Sequence, residues 1–236
     1  MTAETALAAG EVHVIRFSLD KEKVELHRLQ RFLSPDELAR ADRLRDGQTS
    51  KRFVAGRGTL REILGGYLAL APGSLKIEVG AFGKPKLAVG QGESGLCFNL
   101  SHSGDLAILA VSSGCELGID LELQQDDLLF QGMAAQYFSS SEQTELFSLP
   151  PEMQLAAFYR CWTRKEAYLK GCGSGFSLPA NVCDVSLLHG QPPALLQHRT
   201  RPAEPARWHL MDLTAPDGYY AALAVRGAVP VIRYLH

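Results

Sequence analysis

The chain has little that could staple it or anchor it. Its five cysteines, at positions 97, 115, 161, 172 and 183, make an odd set with no Cys-x-x-Cys pair. That spacing implies neither a disulfide framework nor a zinc cluster, and a reducing, cytoplasmic setting is expected. The longest purely apolar runs, such as residues 106–111, are far too short to span a bilayer, so no membrane partner is expected. The first ten residues are Ala-rich, contain Glu4 and lack a basic stretch, which is unlike a secretory signal. Charge of one sign is also missing: 24 Lys and Arg face 26 Asp and Glu, a net charge of −2. That balance argues against a dedicated nucleic-acid binder.

What is there is a chain of 236 residues with 46% hydrophobic and 21% charged content, as in globular proteins and unlike disordered ones. The length suits one large domain or two of roughly 110–120 residues. Sliding the chain against itself by 105 positions favours the second option. Val12-His13-Val14-Ile15-Arg16-Phe17 falls on Leu117-Gly118-Ile119-Asp120-Leu121-Glu122. Ser34-Pro35-Asp36-Glu37 falls on Ser139-Ser140-Ser141-Glu142, two helix starts with a Ser N-cap and Glu at the third helical position. Residues 53–66 fall on 158–171, matching Phe53 with Phe158, Leu64 with Leu169 and Gly66 with Gly171. Each half reads as a strand, a short helix, a long helix (50–70 and 152–170) and two or three strands. Those strands are expected near 75–79, 96–100 and 106–112, then near 182–188, 207–213 and 219–226. This is an α+β pattern. The Pro-rich stretch 191–205 reads as an exposed hairpin loop.

Near-neutral totals hide an uneven distribution. Residues 40–61 carry Arg40, Arg43, Arg45, Lys51, Arg52, Arg57 and Arg61 against Asp42 and Asp46. Such a run is either a solvated helix face or an anion site built from Arg forks. In the second half, Asp120 and Glu122 lie two apart in an apolar strand, so both side chains share one face. Paired carboxylates repel unless a cation sits between them, which suits a hard divalent metal such as Mg²⁺ working with phosphates; the alternative is a strand end in solvent. Glu166 and Lys170 are four apart on the second long helix, either a surface ion pair or a metal ligand beside a phosphate ligand.

Ser101, His102 and Asp105 invite a hydrolase reading, but no Gly-x-Ser-x-Gly elbow is present and adjacent Ser101 and His102 point apart on an extended chain. A loop presenting His102 to an anion fits better. Phe82-Gly83-Lys84-Pro85-Lys86 reads as a tight turn carrying a cation. Gly171-Cys172-Gly173-Ser174-Gly175 follows a helix, so it reads as a terminator and not as a phosphate loop.

In this order, Gly83-Lys84-Pro85, Phe98-Asn99-Leu100-Ser101-His102-Ser103, Gly118-Ile119-Asp120-Leu121-Glu122 and Trp162-Thr163-x-Lys165-Glu166-Ala167-x-x-Lys170 resemble the 4′-phosphopantetheinyl transferase superfamily. Within it they are most similar to the two-lobed surfactin-synthetase-activating (Sfp) type. The resemblance implies two similar α+β lobes related by a pseudo-twofold axis, divided here as 1–115 and 116–236, with the active site between them. It implies transfer of the phosphopantetheine arm of coenzyme A to a serine of an apo carrier protein, with release of adenosine 3′,5′-bisphosphate. Carrier proteins of fatty-acid, polyketide or nonribosomal-peptide synthesis would be the partners of a monomeric enzyme.

By motif, Asp120, Glu122 and Glu166 would hold Mg²⁺ or Mn²⁺. Arg40, Arg52, Lys84, Ser101 and His102 would contact the phosphates and nucleotide of coenzyme A, and Lys170 its pyrophosphate. Arg57 matches a Gly-Arg on the first long helix, and Glu142 a position some relatives use in catalysis or metal binding. Glu166 is a candidate base for the acceptor serine. Two rivals share parts of this set: a non-catalytic coenzyme A or nucleotide-binding module, and a metal-dependent phosphoanhydride hydrolase.

Overall fold

The computed structural model describes residues 7–80, 83–173 and 179–235. Phe82 of the expected cationic turn, and Ser174 and Gly175 of the glycine-rich stretch, lie outside the described residues.

The first half runs β1 (Glu11–Ser18), α1 (Lys23–Gln30), α2 (Pro35–Arg43), α3 (Gly47–Leu68), a hairpin of β2 (Ile77–Val79) and β3 (Pro85–Leu87), then β4 (Leu96–Ser103) and β5 (Leu106–Ser113). The second half repeats that order. It has β6 (Leu117–Leu123), α4 (Phe130–Tyr137), α5 (Ser140–Ser148), α6 (Pro151–Cys172), a hairpin of β7 (Cys183–Val185) and β8 (Leu195–His198), then β9 (Trp208–Asp212) and β10 (Tyr219–Arg226). In the first sheet β5 lies between β1 and β4; in the second β10 lies between β6 and β9, all antiparallel. A last strand, β11 (Val231–Leu235), returns to pair parallel with β1. The α+β reading holds; α1, α4, β3, β8 and β11 are additions to it.

Local chemistry explains where the helices begin and end. Both α2 and α5 start in full capping boxes, Ser34 with Glu37 and Ser139 with Glu142. The Asp46 carboxylate accepts the Thr49 N–H at 2.6 Å to open α3. Gly173, at φ +64°, closes α6 as the glycine-rich terminator should.

The two sheets pack face to face. Val12, Val14, Ile108 and Ala110 meet Ile119, Leu121, Leu223 and Val225. On the outer face of the first sheet, Leu60 and Leu64 of α3 cover Ile15, Leu109 and Val111. The outer face of the second sheet receives α6, with Ala167 and Tyr168 packed near Ala222 and Ala224. That helix approaches β6 as closely as a backbone can. A Cβ on Gly118 would lie 2.1 Å from the Ala167 carbonyl oxygen and 2.2 Å from the Gly171 nitrogen, so only glycine fits there. This contact puts the Glu166 and Lys170 end of α6 against the acidic face of β6.

The stretch 191–205 departs from the exposed loop expected of it. Leu195, His198 and Glu204 are buried, the last accepting the indole N–H of Trp208 at 2.8 Å. Proline content marked the turns correctly, but the residues between them pack inward.

Candidate active site

Asp120 and Glu122 do share one face of β6, and that face is covered by α6. Asp120 is 1% exposed, which removes the reading of a strand end in solvent. Its Oδ1 accepts from Ser101 Oγ at 3.0 Å and from Lys170 Nζ at 2.5 Å, while Oδ2 is buried with no hydrogen-bond partner among the described residues. Glu122 accepts from Ser103 Oγ at 2.8 Å and from the Trp162 indole at 3.4 Å.

The electrostatics are those of crowded acids. Burial, then the neighbouring Asp120, pushes Glu122 up. Burial and the charges of Asp120 and Glu122 push Glu166 up to about 7, against the pull of Lys170. Lys170 is raised: burial works against its charge, but Asp120, Glu166 and Glu122 outweigh it.

A hard divalent cation fits this donor set. The ligands are carboxylate oxygens, one of them orphaned, in a place where negative charge is undercompensated. The fit is one of donor chemistry and not of finished geometry: among the described residues, no three acidic, histidine or cysteine side chains are grouped so that they could hold a metal ion in this arrangement. The Lys170 ammonium lies against Asp120 instead.

The Ser101 hydroxyl is fully hydrogen-bonded within the protein. It donates to Asp120 and accepts from Lys170 Nζ at 2.9 Å and the Leu121 N–H at 3.3 Å, which exhausts one donor and two lone pairs. So placed, the hydroxyl joins the Asp120 and Lys170 cluster and is not free to act as a nucleophile. Asp105, for its part, takes the Tyr219 hydroxyl at 2.9 Å, so no catalytic triad forms.

His102, one residue on, points to the other side of β4, as strand alternation requires. There it lines a cavity of about 440 Å³ with Arg40, Arg52, Phe53 and Arg57. Desolvation by the surrounding protein, then Lys170 and Arg57, lower its pKa. The Arg40 and Arg57 guanidinium carbons sit 5.2 and 5.9 Å from the Phe53 ring centroid. Asp20 grips Arg52 at 2.8 and 3.0 Å, a partner that no motif announced. The basic run at 40–61 therefore lines a cavity in part and is not only a solvated face.

Two expected residues are placed elsewhere. Glu142 is 2% exposed and is fully used. It bonds the Ser139 and Val185 N–H groups and the buried Lys165 ammonium, the last at 2.7 Å. It is a structural hub and does not join the acidic cluster. The capping-box pattern was the signal for this role, and Lys165, part of the motif on the second long helix but given no role there, is its counter-ion. Glu142→Gln is expected to cost about 3 kcal/mol in a urea titration by stranding Lys165, with the kcat of the folded fraction kept. A catalytic glutamate would give the opposite pattern.

Lys84 donates to the Leu117 and Gly171 carbonyls at 2.8 and 3.0 Å, and burial lowers its pKa. It ties the β2–β3 hairpin to the second half, with at most one N–H left for an anion.

The chain is similar to known proteins along nearly its whole length. Residues 116–224 match the 4′-phosphopantetheinyl transferase superfamily, and residues 20–114 match the N-terminal part of a 4′-phosphopantetheinyl transferase. The chain is 42% identical to 4′-phosphopantetheinyl transferase HetI of Nostoc sp. over 221 residues, 94% of this chain and 90% of that protein. It is 32% identical to a putative 4′-phosphopantetheinyl transferase of Synechocystis sp., covering 83% of this chain and 80% of the relative. A 4′-phosphopantetheinyl transferase of Bacillus subtilis is 28% identical over 69% of this chain and 70% of its own length. With an acidic cluster and a cationic cavity set on opposite sides of one strand, and with this likeness along nearly its whole length, the chain belongs to the 4′-phosphopantetheinyl transferase family.

Proposed function

We propose that the protein transfers the phosphopantetheine arm of coenzyme A to a serine hydroxyl of an apo carrier protein and releases adenosine 3′,5′-bisphosphate. The observation that carries this reading is the pair of consecutive residues Ser101 and His102. One joins the Asp120 and Lys170 cluster, and the other lines the cavity of Arg40, Arg52 and Arg57. A nucleotide with a phosphate at its 3′ position and a pyrophosphate at its 5′ position suits such a strand.

Residues 1–115 and 116–236 act in this reading as two lobes related by a pseudo-twofold axis. The repeated element order supports that division. The site lies between them, with β4 supplied by one lobe and β6 with α6 by the other. Asp120, Glu122 and Glu166 would hold Mg²⁺ or Mn²⁺. When bound, such an ion neutralises charge growing on the pyrophosphate.

The chain's own groups do the rest. Arg40, Arg52, Arg57 and His102 hold the nucleotide phosphates, and Lys84 offers its remaining N–H. Lys170, raised in pKa and so firmly cationic, faces the pyrophosphate. The serine oxygen forms a bond to the phosphorus nearer the pantetheine, the phosphorus–oxygen bond to the bisphosphate breaks, and Glu166 is the carboxylate able to take the serine proton. Rate then comes from positioning and charge.

Incubating the protein with coenzyme A, Mg²⁺ and a panel of apo carriers from fatty-acid, polyketide and nonribosomal-peptide systems tests the reading. Mass spectrometry should show one phosphopantetheine added per carrier serine. Bisphosphate released while every carrier stays unmodified would make the protein a hydrolase. No turnover of coenzyme A with any carrier would leave a binding module.

A further inference from the structure

The edge strands β4 and β6 come from different sheets and share no backbone ladder. They are joined by side chains. Asn99 Oδ1 accepts the Ile119 N–H at 2.8 Å, Ser101 Oγ the Leu121 N–H at 3.3 Å and Ser103 Oγ the Leu123 N–H at 3.1 Å. Three alternate residues of β4 thus serve three alternate N–H groups of β6, and the free edge of β6 is satisfied without a strand partner. The two serines do more than the asparagine. Each hydroxyl also donates a hydrogen bond to a carboxylate, Ser101 to Asp120 and Ser103 to Glu122.

We infer that Ser103 is a positioning residue for the reaction. Its hydroxyl is anchored on the Leu123 N–H and fixes Glu122 in register with Asp120, so the seam between the sheets sets the carboxylate spacing. The inference rests on the proposed metal role of those carboxylates. Glu122 is only partly buried and its other oxygen has a long 3.4 Å bond from Trp162. Without Ser103 the carboxylate can swing away from the position the cation requires. Groups that orient metal ligands in this way are typically worth 10- to 100-fold in metal affinity.

Asn99 is the built-in control, since it makes the same seam bond and touches no carboxylate. Free Mn²⁺ is followed by electron paramagnetic resonance with coenzyme A present and no carrier, so that nothing turns over, and Tm is recorded in parallel. Ser103→Ala should weaken Mn²⁺ binding by about tenfold with a small fall in Tm, and Ser103→Thr should restore it. Asn99→Ala should lower Tm and leave Mn²⁺ affinity within about twofold of the parent. Equal Mn²⁺ affinity in Ser103→Ala and the parent would overturn the inference. A parent protein that binds no Mn²⁺ would instead overturn the metal reading beneath it. If Asn99→Ala does not fold, the Ser103→Ala and Ser103→Thr pair decides alone.

Discussion

Asp120→Ala should abolish carrier modification, lowering kcat/KM by at least about a thousandfold, in a protein that still folds. The carboxylate is where the site's polar groups converge. Ser101 and Lys170 both bond its Oδ1, and Oδ2 is held back from water with no hydrogen-bond partner among the described residues. Such an orphaned oxygen costs stability and persists where function requires it. Removing the side chain relieves that cost and separates Lys170 from its partner. The Lys170 side chain is 31% exposed, which lets its ammonium turn to solvent, so Tm should change little. Transfer by Asp120→Ala at a rate near that of the parent would sink the assignment of this cluster to the chemistry.

The second large effect concerns Glu166 and has opposite signs for activity and stability. Glu166→Gln should eliminate transfer and, in chelator at pH 8, raise the stability of the protein by on the order of 2 kcal/mol. Folding raises this carboxyl from its ordinary 4.5 to about 7, mainly by burial and then by Asp120. A carboxyl raised on folding contributes its full stability below its unfolded value. It loses that contribution as pH rises through the folded value. The ionised side chain therefore strains the native protein above pH 7, and a neutral glutamine does not. Below about pH 4 the two proteins should approach equal stability, because the group is then neutral in both the folded and the unfolded chain. Thermal unfolding of the pair at about pH 4 and pH 8 measures the difference. A glutamine variant less stable than the parent at pH 8 would show that the acids are not crowded as described.

Much of this site was legible in the residue order. Ser34 with Glu37 and Ser139 with Glu142 became capping boxes, because a cap depends on atoms three residues apart. Asp120 and Glu122 share a face because strand alternation is local geometry. Glu166 and Lys170 share another for the same reason on a helix. The roles of Ser101, Lys84 and Glu142 were not legible. Each depends on where a distant carbonyl, amide or ammonium ends up: Lys84 on Gly171, Ser101 on Leu121, Glu142 on Lys165. The short elements α1, α4, β3 and β8 were missed because stretches of three to eight residues carry almost no periodicity.

A lack of staples, a balanced charge and a 105-residue echo were properties of the chain before it folded, as were a basic run in one half and carboxylates in the other. From these the sequence by itself determined the α+β class, the repeated element order and the acidic and basic residue sets. Tertiary structure alone decided which members of those sets meet. It set β4 beside β6, turned Ser101 and His102 to opposite sides of one strand, and let two glycines bring α6 down onto Asp120. Periodicity and capping act over three or four residues and are written in the chain. Contacts between groups 19 to 87 positions apart arise only when whole faces pack, and no local pattern encodes them.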